Sequence, residues 1–174
     1  MTSHLTLPNA EHLLLTLQQQ LAPYIQPKTA IVGIHSGGAW IAERLFPLLQ
    51  QSHPHCSLEL GMLDSSFYRD DYNQRGLHAE TRPSQISFDV EDRHIILLDD
   101  VFYTGRTIRA AMNELFDYGR PASITLAVLV DRGGRELPIC PQVAALQLDI
   151  PLEQKLQLSR DENNQLQFSL EENA

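Results

Sequence analysis

Residues 95–107 read IILLDDVFYTGRT, and this stretch decides the fold. Four apolar residues, Ile95 to Leu98, make a short strand buried on both faces. Asp99 and Asp100 follow at its carboxyl end, where open α/β sheets bind their ligands. Val101 to Arg106 reads as a turn that enters a helix. In it, Thr104-Gly105-Arg106-Thr107 can offer a phosphate backbone N–H groups, a helix dipole, two hydroxyls and a guanidinium. Two carboxylates beside such a turn suit vicinal hydroxyls, so the pattern points to a sugar phosphate. Adjacent acids alone are commonly a solvated turn and a helix cap; the strand-to-helix setting raises them above that. No Gly-Lys-Ser/Thr ends a long glycine loop, so this is not a Walker A motif.

Upstream, Asn9 can cap a helix with Ala10, Leu13, Leu14, Leu17 and Leu21 at helical spacing, closed by Pro23 and Pro27. Ala30 to Ile34 is a short buried strand. Gly37-Gly38 opens a second helix with Ile41, Leu45 and Leu48 on one face, which Pro47 should kink or end. Leu58 to Tyr68 reads as extended, with Gly61 as a candidate bulge. The polar stretch 69–85 is a long loop of the kind that is usually functional or mobile.

Downstream, Ile108, Ala111, Met112, Leu115 and Phe116 form a helix face that stops at Gly119. Ile124 to Val130 is a continuous apolar strand. Strands alternating with helices predict a doubly wound α/β fold, here one domain over 1–174. Lys155 to Ser159 and Gln165 to Leu170 alternate around Asp161 to Asn164, which predicts an antiparallel hairpin added to the sheet.

Composition sets limits. The 174 residues are 43% hydrophobic and 20% charged, enough for one well-buried core. The net charge of −9 argues against a generic cationic glove for nucleic acid. Nine of the eleven arginines lie in 69–135, and the excess acid lies in the flanks. No Lys or Arg precedes Lys28, and no aliphatic run approaches a membrane span, so a cytoplasmic protein without a membrane partner is expected. Cys56 and Cys140 make no disulfide framework, and His53, His55 and Cys56 lack the distal pair a metal site would need. Trp40 reads as helix packing, with walling of the site as the alternative.

The segment 99–107 closely resembles the phosphoribosyl pyrophosphate (PRPP) motif of type I phosphoribosyltransferases. Together with LDSSFYRDD at 63–71 and GRPASITLAVLVDRGGRELPI at 119–139, it resembles the PyrR family over about residues 30–140. That family pairs regulation of pyrimidine biosynthesis genes with uracil phosphoribosyltransferase activity. The resemblance implies a type I phosphoribosyltransferase fold: a mostly parallel twisted sheet flanked by helices, with a C-terminal antiparallel hairpin. It implies conversion of uracil and PRPP to UMP and pyrophosphate, with Mg²⁺. Asp99 and Asp100 would bind the ribose hydroxyls and help place Mg²⁺, and Tyr103, Thr104, Gly105, Arg106 and Thr107 would complete the PRPP site around the 5′-phosphate. His35, Ser36, Gly37 and Gly38 would meet the pyrophosphate, often through a strained peptide. Arg69 and the loop after it would close over PRPP. Val130, Asp131 and Arg132 would lie near the uracil. A homo-oligomer is also implied.

Two departures from that family and one contrast with purine-using relatives bear on this. PyrR proteins commonly have Thr-Arg-Gly where this chain has Ser36-Gly37-Gly38, which removes a guanidinium from the leaving group. A sensor of UMP or PRPP with little catalysis is therefore the alternative reading, and His35 is either a partial replacement or an ordinary loop residue. Purine-using relatives place an acid where this chain has Tyr103, which argues against a purine substrate and against a carboxylate base. Members that grip the leader RNA of the operon are basic near the N-terminus and after the Leu-Pro-Ile segment. Here Ile139 is followed by Cys140-Pro141-Gln142, which counts against RNA.

Overall fold

The computed structural model describes residues 6–64 and 83–172. Helix α1 spans Ala10–Leu21, followed by a 3₁₀ turn at Ala22–Tyr24. Strand β1 is Thr29–Ile34, α2 is Gly37–Ser52 and β2 is Glu59–Leu63. Strand β3 is His94–Phe102, α3 is Arg106–Asp117, β4 is Ser123–Asp131 and β5 is Val143–Gln147. Strands β6, Gln154–Arg160, and β7, Leu166–Glu172, complete the order.

Five strands form one sheet in the order β2-β1-β3-β4-β5, parallel at every pairing. The period of two sorts β3 to its two faces. Ile96 and Leu98 join a core with α1, α2 and the hairpin; Ile95 and Leu97 join a second core under α3. Both faces are covered, which is why these strands read as unbroken apolar runs.

Helix α1 forms as its sequence dictates. The Asn9 side chain accepts from the His12 N–H at 3.0 Å, and Ala10, Leu13, Leu14, Leu17 and Leu21 are buried. Helix α2 does not stop at Pro47 but runs on to Ser52. Leu49, a full turn beyond Leu45, takes the buried place expected of Leu48, which is exposed. Gly61 is no bulge: it pairs regularly with Val32, and its missing side chain makes room for Ile86. The acid pair lies within β3, which continues through Phe102, so the expected turn begins later, at Tyr103. Phe116 lies off the buried face of α3, at 54% exposure, and Ala110 is buried instead.

The hairpin β6–β7 is a separate two-stranded sheet rather than an addition to the main one. Its alternation buries Leu156, Leu158, Leu166 and Phe168 against the α1 side. Polar contacts hold it there. Glu11 pairs with Arg44 at 2.6 Å and accepts the Leu166 N–H at 2.8 Å, while Arg44 donates to the Asn164 carbonyl at 2.9 Å. Arg160 bonds Glu43 at 3.2 Å and lies over the Trp40 ring at 5.1 Å.

The hydrogen bond from Arg44, with that from Leu166, holds the Glu11 carboxyl below its ordinary range despite partial burial. A lowered folded-state pKa stabilises above the unfolded value, and that stability is lost as pH falls through the folded one. The hairpin contact is thus expected to weaken as pH drops below about 4.5. Glu11→Gln should cost roughly 1 kcal/mol at neutral pH, because the pair is partly exposed. It should also flatten the acid limb of a thermal-stability profile; an unchanged limb would contradict this.

Candidate active site

The carboxyl ends of the central strands border an open cleft of about 620 Å³. Its described lining comes from four places in the chain. His35, Ser36 and Gly37 follow β1, with Trp40 at the start of α2; Asp99 through Ile108 end β3 and begin α3. Arg132 follows β4, and Lys155 to Leu158 belong to β6.

Alternation along β3 separates the two acids. Asp99 is 7% exposed and its Oδ1 accepts the Asp100 N–H at 2.9 Å. Asp100 turns toward α2, where its carboxylate occupies the space a side chain at residue 37 would need: a Cβ on Gly37 would come within 2.5 Å of its Oδ2. The His35–Ser36 peptide is cis, and the His35 N–H donates to the Leu63 carbonyl at 2.9 Å.

The turn into α3 needs Gly105, whose φ of +93° lies in the left-handed region that glycine tolerates. The Thr104 carbonyl accepts from the N–H groups of Glu136 and Leu137 at 3.0 and 3.2 Å, which braces the turn from outside the cleft. First-turn N–H groups of a helix have no partner within it, so this end of α3 can hold an anion. The Thr104 Oγ1 accepts the Arg106 N–H at 3.2 Å, and the Arg106 guanidinium pairs with Glu136 at 2.9 Å.

Residues 5–153 match the family described as Phosphoribosyl transferase domain. A relative from Nitrosococcus oceani, named Bifunctional protein PyrR, is 51% identical over 155 residues, covering 89% of this chain and 85% of its own. A relative of the same name from Pseudomonas aeruginosa is 46% identical over 166 residues, covering 93% and 90%. The chain belongs to the PyrR family. Solved structures agree on the fold. A hypoxanthine phosphoribosyltransferase from Staphylococcus aureus superposes with a TM-score of 0.60 at 20% identity, over 84% of this chain and 78% of that one. A hypoxanthine-guanine phosphoribosyltransferase from Bacillus anthracis gives 0.61 at 13%, over 84% and 85%. The type I phosphoribosyltransferase fold expected from the sequence is therefore the one found.

Most residues expected at a PyrR site meet at this cleft: His35, Ser36, Gly37, Asp99, Asp100, Tyr103 through Thr107, and Arg132. Three expected residues do not line it. Gly38 packs beneath it, where a Cβ would stand 2.2 Å from the Leu98 carbonyl oxygen. Val130 is fully buried. Asp131 turns back to accept the Gly133 N–H at 3.0 Å. Arg69 and most of the 69–85 loop lie outside the described residues.

Sequence reasoning missed Lys155 to Leu158, because their alternation reveals a strand but not which cleft the strand borders. Trp40 does both things its position allows: it packs against the core and it lines the cleft. Its place directly after the glycine pair was the only local signal.

No helix among the described residues is long and apolar enough to cross a membrane.

Proposed function

We propose that this PyrR-family chain transfers the 5-phosphoribosyl group of PRPP to uracil, giving UMP and pyrophosphate, and that it uses the same site to sense pyrimidine nucleotides as a regulator of pyrimidine biosynthesis genes. The observation that carries this is the meeting, in one cleft, of the acid pair of β3 with the turn 104–107 at the N-terminus of α3. The turn and the Thr104 and Thr107 hydroxyls hold the 5′-phosphate, with Arg106 leaving Glu136 to join them. Asp99 and Asp100 accept hydrogen bonds from the ribose hydroxyls. The loop at His35, Ser36 and Gly37 supports the pyrophosphate.

No covalent nucleophile is required. The bond from ribose C1 to pyrophosphate breaks with its electron pair leaving on pyrophosphate as the bond to uracil N1 forms, through an oxocarbenium-like ribosyl group, and the N1 proton passes to solvent. Carboxylates on one side of that cation and backbone donors on the other stabilise opposite developing charges. Two carboxylates are the hard donor set that suits Mg²⁺, which is commonly held by one or two carboxylates with substrate oxygens supplying the rest. Bound there, Mg²⁺ would neutralise charge on the departing pyrophosphate.

The test is incubation of the full chain with labelled uracil, PRPP and Mg²⁺. UMP is expected, with no nucleotide from hypoxanthine or guanine. Calorimetric binding of UMP without any turnover would instead favour the sensor reading, which the missing loop cation at Gly37 motivates.

A further inference from the structure

Glu114 does not line the cleft, yet its hydrogen bonds lead there. It is half-buried in the last turn of α3. A carboxylate there faces the negative end of the helix dipole, so no helix preference explains it. Among the described residues no ion pair takes it either. Its Oε1 accepts the Ser84 hydroxyl at 2.5 Å.

Ser84 stands where the edge of the sheet runs out of partners. Met62 of β2 exchanges both backbone hydrogen bonds with Gln85, at 3.0 and 2.8 Å. The next antiparallel rung would pair residue 64 with residue 83, and Pro83 has no N–H to give. The Asp64 N–H goes instead to the Ser84 Oγ, at 2.9 Å. A hydroxyl both donates and accepts, so Ser84 joins the Glu114 carboxylate to the backbone of Asp64.

The other end of the same peptide group reaches the site. The Leu63 carbonyl accepts the His35 N–H at 2.9 Å. His35 opens the loop that lines the cleft with Ser36 and Gly37. The Leu63 carbonyl and the Asp64 N–H belong to one planar peptide, which cannot turn at one end without turning at the other. The bond between Glu114 and Ser84 therefore fixes the direction in which the His35 N–H is held.

We propose that Glu114 is a positioning residue for the leaving group, acting through Ser84 and the Leu63–Asp64 peptide on the loop at His35. This rests on the reading that the loop supports pyrophosphate. Removing the carboxylate loosens that loop and leaves the acid pair and the turn 104–107 in place. UMP carries the ribose and its 5′-phosphate but no pyrophosphate, so it reports on the site without the loop.

Calorimetry of the full chain with Mg²⁺ and each ligand separates positioning from plain stability. Glu114→Ala and Ser84→Ala should each weaken PRPP binding by about tenfold, the effect of breaking one link in such a network, and UMP binding by less than about twofold. The double variant should bind PRPP no more weakly than the single ones, because all three remove the same link. Glu114→Gln, whose Oε1 can still accept the hydroxyl, should recover most of the affinity. Equal losses for PRPP and UMP, additive losses in the double variant, or a Glu114→Gln protein as weak as Glu114→Ala each overturn the proposal. If Glu114→Ala fails to fold, Ser84→Ala carries the comparison of PRPP with UMP. A wild-type protein that binds neither ligand removes the functional reading, and this one with it; one that binds both, with no selective loss of PRPP in the variants, removes only this one.

Discussion

Asp100→Asn and Asp99→Asn are each expected to lower UMP formation by about 10²–10³-fold while leaving the fold intact. Asparagine has the same shape, and at residue 99 its carbonyl oxygen can still accept the Asp100 N–H that Asp99 Oδ1 accepts at 2.9 Å. What it lacks is charge. Ionised acceptors make roughly twice as strong a hydrogen bond to a hydroxyl as neutral ones. A carboxylate near a ribosyl ring that is becoming cationic also stabilises the transition state more than the ground state, so the loss falls on kcat/KM. Stability should move the other way at residue 99. Asp99 is 7% exposed, and a neutral amide is cheaper to bury than a carboxylate. An equal or higher Tm with UMP formation reduced at least a hundredfold is the expected pair of results. Activity within threefold of wild type for both variants would refute the assignment of the acid pair.

The stretch that carries these acids was also the most legible part of the chain. The run from Ile95 to Leu98, the acids and Gly105 are local signals, because burial on both faces and a left-handed turn each demand particular residues. Their boundaries were less legible. Strand β3 extends through Phe102 because hydrogen bonding to β4 continues beyond the acids, and pairing with a distant segment leaves no mark in the local pattern. The same reason hides β5, whose Val143–Gln147 is short and only partly buried. It also explains the hairpin. Alternation at 155–159 announced two strands, but whether they joined the main sheet depended on Glu11, Glu43, Arg44 and Trp40, more than a hundred residues away. Leu48 and Leu49 show the smaller form of the same limit, since two adjacent leucines compete for one buried stripe and only packing decides between them.

Alanine substitutions at three glycines should separate folding from function. Gly38→Ala is expected to be the most destabilising. Its Cβ would lie 2.2 Å from the Leu98 carbonyl oxygen and 3.0 Å from the Asp99 Cα, both backbone atoms of the central strand. No rotamer can relieve a Cβ contact, so α2 must move off β3, at a cost of about 3 kcal/mol. For a chain of this length that is a fall in Tm of roughly 10 °C. Gly61→Ala also meets a neighbour, at 2.6 Å, but that atom is Cδ1 of Ile86 at the end of a flexible side chain. About 1 kcal/mol is expected there, because a rotamer change absorbs the contact. Gly37→Ala presses on the Asp100 carboxylate at 2.5 Å. It should leave Tm nearly unchanged and weaken PRPP binding about tenfold, because the group displaced belongs to the site and not to the core. Thermal melts and PRPP titrations of the three variants check the order. A Gly38→Ala protein that melts with the Gly61→Ala protein would mean that the approach of α2 to β3 is looser than these contacts require.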